Sequence, residues 1–283
     1  MSNSVPVKQI QIKSRNIDLK DYKLRSAVEA DVTTLIKESC VLVEDGHIKV
    51  IYLDLDEFNF DALPITKALE SIKYQASERT GGLKTISRIF GYAPRVTLRK
   101  DFCSATSLIK DFPTEHDLIC EYAKQITDIY RSINPEVFEQ HMQESKKVLK
   151  EWTIEDTPFT SGIINKNNPL KYHFDTGNFK NVFSCMLGFK KDIEGGYLSL
   201  PDYDCMLEIK NNSLLIFDGQ NILHGVTPIK KRSEQAYRYT IVYYSLKAMW
   251  NCLPLNEEII RIRKLKTDRE FKRAEAQAFK DVR

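Results

Sequence analysis

Two textures of apolar and polar residues divide this chain, and the change falls near Phe159. Before it, short strand-like and helix-like pieces mix. "HIKVIYLDL" (His47–Leu55) alternates and is rich in Val, Ile and Tyr, which predicts a strand. "ITKALESIKYQ" (Ile65–Gln75) places apolar residues at helical spacing. Asp117–Ile133 brings Leu118, Ile119, Ala123, Ile126, Ile129, Tyr130 and Ile133 onto one stripe, the mark of an amphipathic helix. A second helix starts at Asn134 as cap with Pro135 in its first turn, and continues through Val137, Phe138, Met142, Val148, Leu149 and Trp152. His141 lies beside that stripe and reads as a helix-face histidine rather than a ligand. The segment Gly81–Leu108 packs glycines, arginines and aromatics in a pattern that suits neither an amphipathic helix nor a plain core strand.

Beyond Phe159, short β-branched runs are separated by turn signals: "FTSGIIN", "NVFSCMLGF", "GGYLSLP", "CMLEI", "SLLIFD" and "YRYTIVYYSL". Strands of this length and spacing predict a β-sandwich or barrel. The end, Glu257–Arg283, predicts a charged helix; between Arg261 and Arg273 it holds seven Lys/Arg and two acids. No internal repeat or low-complexity tract interrupts the chain.

Composition narrows the classes. With 283 residues, 42% hydrophobic and 29% charged, the chain can bury a substantial core, as one large domain or one core with an added subdomain. No run approaches ~18 consecutive apolar residues, so no transmembrane helix is expected. The start lacks the apolar centre of a signal peptide. A cytoplasmic location is expected, with a nuclear one left open. The six cysteines form no CxxC pair and lie far apart, which predicts reduced, mostly buried thiols rather than a zinc finger or disulfide framework. A net charge of only +3 means that nucleic-acid binding would need a local basic patch.

The chemistry concentrates in "KYHFDTGNFKN" (Lys171–Asn181). Side chains two apart on a strand share a face, so His173 and Asp175 can chelate one ion. His224, in "FDGQNILHGVTPI", offers a third ligand. Two histidines and one carboxylate form the facial set that binds Fe(II) and leaves positions open for substrate and O2. Arg238, on a neighbouring predicted strand, suits bidentate capture of a carboxylate such as the distal one of 2-oxoglutarate. Each part has a plain alternative: H-x-D is common, His224 fits a turn and Arg238 fits a strand surface. The four in order, within a jelly-roll texture, carry the reading.

The block "FTSGIINKNNPLKYHFDTGNF…GGYLSLPDYDCMLEIKNNSLLIFDGQNILHGVTPI…RYTIVYYS" resembles the catalytic core of the TET/JBP family of nucleic-acid base oxygenases over about Phe159–Leu246. The more specific marks are "NKN", "HxDxGxF", "GGYLxLP", "LLxFD" and "HGVTPI". With the strand texture, the resemblance leads to the expectation of an α+β chain: a double-stranded β-helix (jelly-roll, cupin-like) core with flanking helices over 81–256, an N-terminal α/β extension over 1–80 packed on it, and the charged C-terminal helix over 257–283. It implies His173, Asp175 and His224 as iron ligands, Arg238 as the 2-oxoglutarate clamp, and Fe(II), 2-oxoglutarate and O2 as the reactants at the centre. Asn178 matches the position where the methylcytosine oxidases carry a base-contacting Asn, which favours 5-methylcytosine in DNA over thymine; it also fits a plain turn after Gly177.

No long cysteine-rich region like that of the animal enzymes is expected, nor a separate DNA-binding domain like that of J-type proteins. The chain looks like a compact phage or microbial form, expected to be a monomer. DNA contact would then fall to Lys230–Arg232, the helix from Arg261, and Arg88, Arg95 and Arg99. Arg95 and Arg99 alternate along "PRVTLRKDFC" and can reach the mouth of the site, or pair with Asp101 and with acids on the helices. The competing expectations are thymine hydroxylation, an oxygenase acting on a free nucleotide, small molecule or protein side chain, and a non-catalytic jelly-roll binder.

Overall fold

The computed structural model describes residues 7–58, 60–79, 83–94 and 103–281. The strands after Phe159 sort into two sheets. Ser161–Lys166, Ser184–Lys191, Ser213–Phe217 and Tyr237–Tyr244 pair antiparallel at the centre of a 10-stranded sheet. Leu170–His173, Leu198–Leu200, Cys205–Leu207 and His224–Val226 belong to a 5-stranded sheet. The chain crosses between the sheets repeatedly, which gives the double-stranded β-helix.

Period-2 alternation explains why the large-sheet strands read as continuous apolar runs. Leu187, Phe189, Leu214, Ile216, Ile241 and Tyr243 face a helical layer and share a core with Ile119, Ala123, Ile126 and Tyr130. Their neighbours Met186, Leu215 and Phe217 face the small sheet and pack with Leu198, Leu200, Leu207 and Val226. Both faces of the large sheet are therefore covered. The helical layer is Pro113–Ile133 followed by Pro135–Ser145, with Asn134 at the junction. Pro135 occupies the first turn as expected, but Asn134 makes no side-chain capping bond.

The N-terminal part is woven into both sheets. His47–Asp54 pairs antiparallel with Ser213–Phe217, Cys40–Glu44 pairs with His47–Asp54, and Lys8–Gln11 adds a parallel edge. Thr34–Ile36 joins the small sheet beside Cys205–Leu207. On the opposite flank, Leu83–Pro94 pairs with Ser161–Lys166. The helix expected over Ile65–Gln75 runs from Leu63 to Ser71, and Gln75 already begins a strand, Gln75–Arg79.

Sequence reasoning missed the Leu83–Pro94 strand because its polarity is inverted. Ile86 and Ile89 are exposed, whereas Thr85 and Arg88 are buried. Arg88 pairs with Asp111. A buried, paired arginine has no free charge for a phosphate, so the expectation that Arg88 contacts DNA does not stand.

The cysteine expectation also needs correction. Cys103 and Cys252 form a disulfide across 149 positions, with their Cα atoms 5.6 Å apart. Topology brings the short strand Cys103–Ala105 beside the end of the Lys247–Asn251 turn, a proximity that spacing conceals. Cys40, Cys185 and Cys205 are buried free thiols, as expected, and Cys120 is half-buried. The C-terminal helix spans Leu255–Asp281. Among the described residues no helix is long and apolar enough to cross a membrane.

Candidate active site

His173 ends the strand Leu170–His173, and His224 opens the strand His224–Val226; the two are direct partners in the small sheet. Their ring centroids lie 4.4 Å apart. Asp175 follows just past the strand end, where its backbone N–H donates to Gly219 O at 2.8 Å. That bond ties the H-x-D segment to the turn after Ser213–Phe217. Gly219 has no side chain, and it needs none: a Cβ there would press on the Asp175 carboxylate, 3.1 Å from Cγ. Among the described residues, His173, Asp175 and His224 are the one group of three or more ligating side chains, with donor atoms within 4.8 Å of one another.

Hydrogen bonding fixes which nitrogens face inward. Nδ1 of His173 meets Lys171 O at 2.7 Å, and Nδ1 of His224 meets Ile222 O at 2.9 Å. A carbonyl only accepts, so each Nδ1 carries the proton. Nε2 of His173 lies 3.5 Å, and Nε2 of His224 3.8 Å, from Asp175 Oδ1. Burial pushes the His224 imidazole down to about 4, against the opposing pull of Asp175, so it is neutral at pH 7 and its Nε2 presents a lone pair. Lone pairs of imidazole and carboxylate converge on one point, an arrangement that a divalent cation satisfies. Two imidazoles and one carboxylate fit Fe(II). Phe217 packs edge-on against the His224 ring at 5.0 Å and holds its plane.

Arg238 lies on Tyr237–Tyr244 and lines the same cavity, of about 680 Å³. It is 3% exposed, and its Nε and Nη2 have no hydrogen-bond partner. Burial lowers its pKa to about 10, which still leaves a full positive charge at pH 7. An orphaned buried guanidinium calls for an anion, and the planar fork matches a carboxylate. The backbone of Arg238 is gripped at both ends: Arg238 N donates to Asn167 Oδ1 at 2.7 Å, and Asn167 N donates to Arg238 O at 2.8 Å. Gly196 lies against the Arg238 stem, where a Cβ would come 3.0 Å from Cδ.

Asn178 also lines the cavity. Its backbone bridges Leu246, its carbonyl accepts from Gln220 Nε2, and its Nδ2 donates to Ser184 Oγ at 3.3 Å. Gly177, with φ +102°, makes the turn that places it there. Arg95 and Arg99 lie outside the described residues. Lys231 is on a two-stranded ribbon with Ile193–Gly195, and Arg232 pairs with Glu194. His141 is fully buried away from the cluster and bonds Ser245 Oγ through Nε2 at 2.8 Å.

Sequence reasoning singled out "NKN" without giving its members roles. Asn165 lines the cavity and donates to Thr240 Oγ1 at 3.4 Å, and Asn168 donates to Asn165 Oδ1 at 3.2 Å. Lys166 stacks over Tyr74 and Tyr239. Asn167 is the backbone clamp on Arg238. The signal was present as a polar cluster interrupting an apolar strand.

The family model Tet_JBP, the oxygenase domain of the 2OGFeDO superfamily, matches residues 94–247. Thymine dioxygenase JBP1 of Leishmania tarentolae is 25% identical over 240 residues, covering 81% of this chain and 28% of that protein. Thymine dioxygenase JBP1 of Trypanosoma brucei brucei is 23% identical over 192 residues, covering 67% and 22%. The chain thus spans under a third of the length of these relatives. The solved structure of NgTET1 in complex with 5mC DNA shares the fold, with a TM-score of 0.61, 16% identity and 90% of both chains covered.

Proposed function

Because this chain belongs to the Tet_JBP family of 2-oxoglutarate–Fe(II) oxygenase domains, we propose that it hydroxylates the 5-methyl group of a pyrimidine base in DNA, with 5-methylcytosine as the base. One observation carries the reading: the converging Nε2 and carboxylate lone pairs and the orphaned Arg238 guanidinium line a single cavity. When bound, Fe(II) with 2-oxoglutarate and O2 supplies the oxidising power for C–H hydroxylation, and 2-oxoglutarate leaves as succinate and CO2.

The chain's own residues hold and orient. His173 and His224 offer Nε2, because their Nδ1 protons are committed to backbone carbonyls. Asp175 would complete the ligand set with its carboxylate, at the wall of the cavity where the substrates would enter. Arg238 holds the distal carboxylate of 2-oxoglutarate and sets which way that molecule lies. Apolar Met186, Leu198, Phe217 and Val226 wall the cavity and limit water around the reacting centre. A methyl group inside a duplex is out of reach, so the base would have to leave the stack and enter this cavity.

Asn178 supports cytosine over thymine. Its Oδ1 can accept from the 4-amino group of cytosine; one Nδ2 hydrogen goes to Ser184 and the other can donate to a ring acceptor, so the preference rests on the acceptor side of the amide and on the family resemblance. Thymine hydroxylation is the second reading, favoured by the similarity to thymine dioxygenases. The test is mass spectrometry of nucleosides from duplex DNA carrying 5-methylcytosine, or only thymine and cytosine, after incubation with Fe(II), ascorbate and 2-oxoglutarate. 5-Hydroxymethylcytosine that disappears in His173→Ala supports the reading. 5-Hydroxymethyluracil moves the assignment to thymine, and succinate release with no modified base sends it to a free nucleotide, small molecule or protein side chain.

A further inference from the structure

The wall of the cavity has a contributor from outside the family-matched region. Leu24 lines it together with His173, Phe174, Asp175 and Asn178. Its backbone sits at φ +65°, a left-handed conformation that a bulky side chain adopts only when its surroundings impose it. The residue is nevertheless 45% exposed, so burial of the leucine does not explain the strain.

The constraint comes from the strap on either side. Leu24 N donates to Tyr172 O at 3.0 Å, and Tyr172 N donates to Arg25 O at 2.9 Å. Ser26 bridges Lys171. Arg25 is held by Asp31 at 2.7 Å and stacks over Tyr22, 4.6 Å from its ring centre. Tyr172 OH donates to Asp31 Oδ2 at 2.9 Å. Ala27 is buried against Gly225, where an added Cβ would come 2.9 Å from that of Ala27. The strap is thus bolted over the strands that carry His173 and His224, and its tip is an apolar side chain presented to the cavity.

We propose that Leu24 is a substrate-contacting residue, the apolar surface against which the extruded 5-methylpyrimidine or the base step it leaves is packed. The inference rests on the DNA-base reading above. It makes the N-terminal strap part of the substrate site rather than only a support for the sheet.

Leu24→Gly and Leu24→Ala separate contact from support. Glycine accepts positive φ without strain, so Leu24→Gly should melt at the same temperature or higher while losing the contact. KM for a 5-methylcytosine duplex, read by nucleoside mass spectrometry, should rise about 4–12-fold in both variants, the factor for losing burial of roughly half a leucine side chain. The fluorescence rise of a 2-aminopurine placed beside the target base, which reports unstacking on binding, should shrink in both. Unchanged KM and unchanged fluorescence in a wild type that does modify the base would overturn the proposal alone. A lower melting temperature in Leu24→Gly would assign the residue to holding the strap and also overturn it. A wild type that modifies no base refutes the DNA-base reading and takes this proposal with it.

Discussion

Gly219→Ala puts the metal reading under direct strain. Gly219 does not occupy a positive-φ conformation, so alanine fits its backbone and any effect must come from the added methyl. That methyl would lie 3.1 Å from Asp175 Cγ and closer still to Oδ2. Ordinary carbon–carbon contact is roughly 3.5–4.0 Å, so the carboxylate must retreat by roughly 0.4–0.9 Å. The backbone cannot absorb this easily, because Asp175 N–H is bonded to Gly219 O at 2.8 Å and the two residues move together. Metal–ligand distances tolerate only about ±0.2 Å. Metal affinity should therefore fall by about 10–100-fold, the range seen when groups that position a ligand are disturbed. Co(II) titration followed by visible absorption, or Mn(II) calorimetry, reads the affinity without turnover. The contrasting substitution is Gly177→Ala, where a Cβ meets open space but φ is +102°. It should lower stability by about 1–2 kcal/mol through backbone strain, with a much smaller effect on metal affinity. Wild-type Co(II) affinity in Gly219→Ala would refute the claim that Asp175 ligates from its place against Gly219.

Three further outcomes follow from the same geometry. Arg238→Met removes a buried guanidinium with orphaned Nε and Nη2, so without 2-oxoglutarate it should melt higher, by up to about 1–4 kcal/mol of stability, while KM for 2-oxoglutarate rises about 30-fold or more; a lower melting temperature without cosubstrate would contradict the orphaned charge. Burial pushes the His141 imidazole down to about 3, so the folded state resists its protonation, and the stability it lends above pH 6.5 is lost as pH falls toward 3; melting curves of His141→Gln should be flatter than wild type between pH 6.5 and 4, and parallel curves would rule out the buried neutral histidine. Reduction of Cys103–Cys252, or Cys103→Ser, should cost about 2–4 kcal/mol measured by denaturant unfolding, since the bond closes a loop of 149 positions; equal unfolding midpoints with and without reductant would show that the bond contributes nothing.

What could be read from sequence divides by the range of the interaction. The β runs after Phe159 were legible because each strand declares itself within a few residues. His173, Asp175, His224 and Arg238 stood out because few histidines compete and their order along the strands is unusual. Leu83–Pro94 was illegible because Arg88 faces inward to Asp111 while Ile86 and Ile89 face out, and periodicity assumes the reverse. The Gly219–Asp175 contact, the Asn167 clamp on Arg238 and the Cys103–Cys252 bond depend on registers between segments far apart in sequence. No local pattern encodes such a register. "NKN" is the intermediate case: its polarity marks it as special, but only strand pairing assigns Asn165 to the cavity and Asn167 to the arginine.

The family-matched segment therefore cannot be equated with the working unit. Taken alone, residues 94–247 would lose His47–Asp54 from one side of the central sheet and Leu83–Pro94 from the other. Both losses expose rows of unpaired backbone groups on Ser213–Phe217 and Ser161–Lys166, the situation that folded proteins avoid by covering or pairing their edges. Residues Val41, Ile51 and Leu53 would also leave the core shared with Leu187, Leu214 and Ile216. The small sheet would lose Thr34–Ile36 from its edge, and the cavity would lose the strap that carries Leu24. The candidate ligands His173, Asp175 and His224 sit at the ends of these strands, so their spacing is set by sheets that the N-terminal strands complete. The proposed chemistry is local to a few side chains, but the rigidity that holds those side chains together draws on described strands outside residues 94–247.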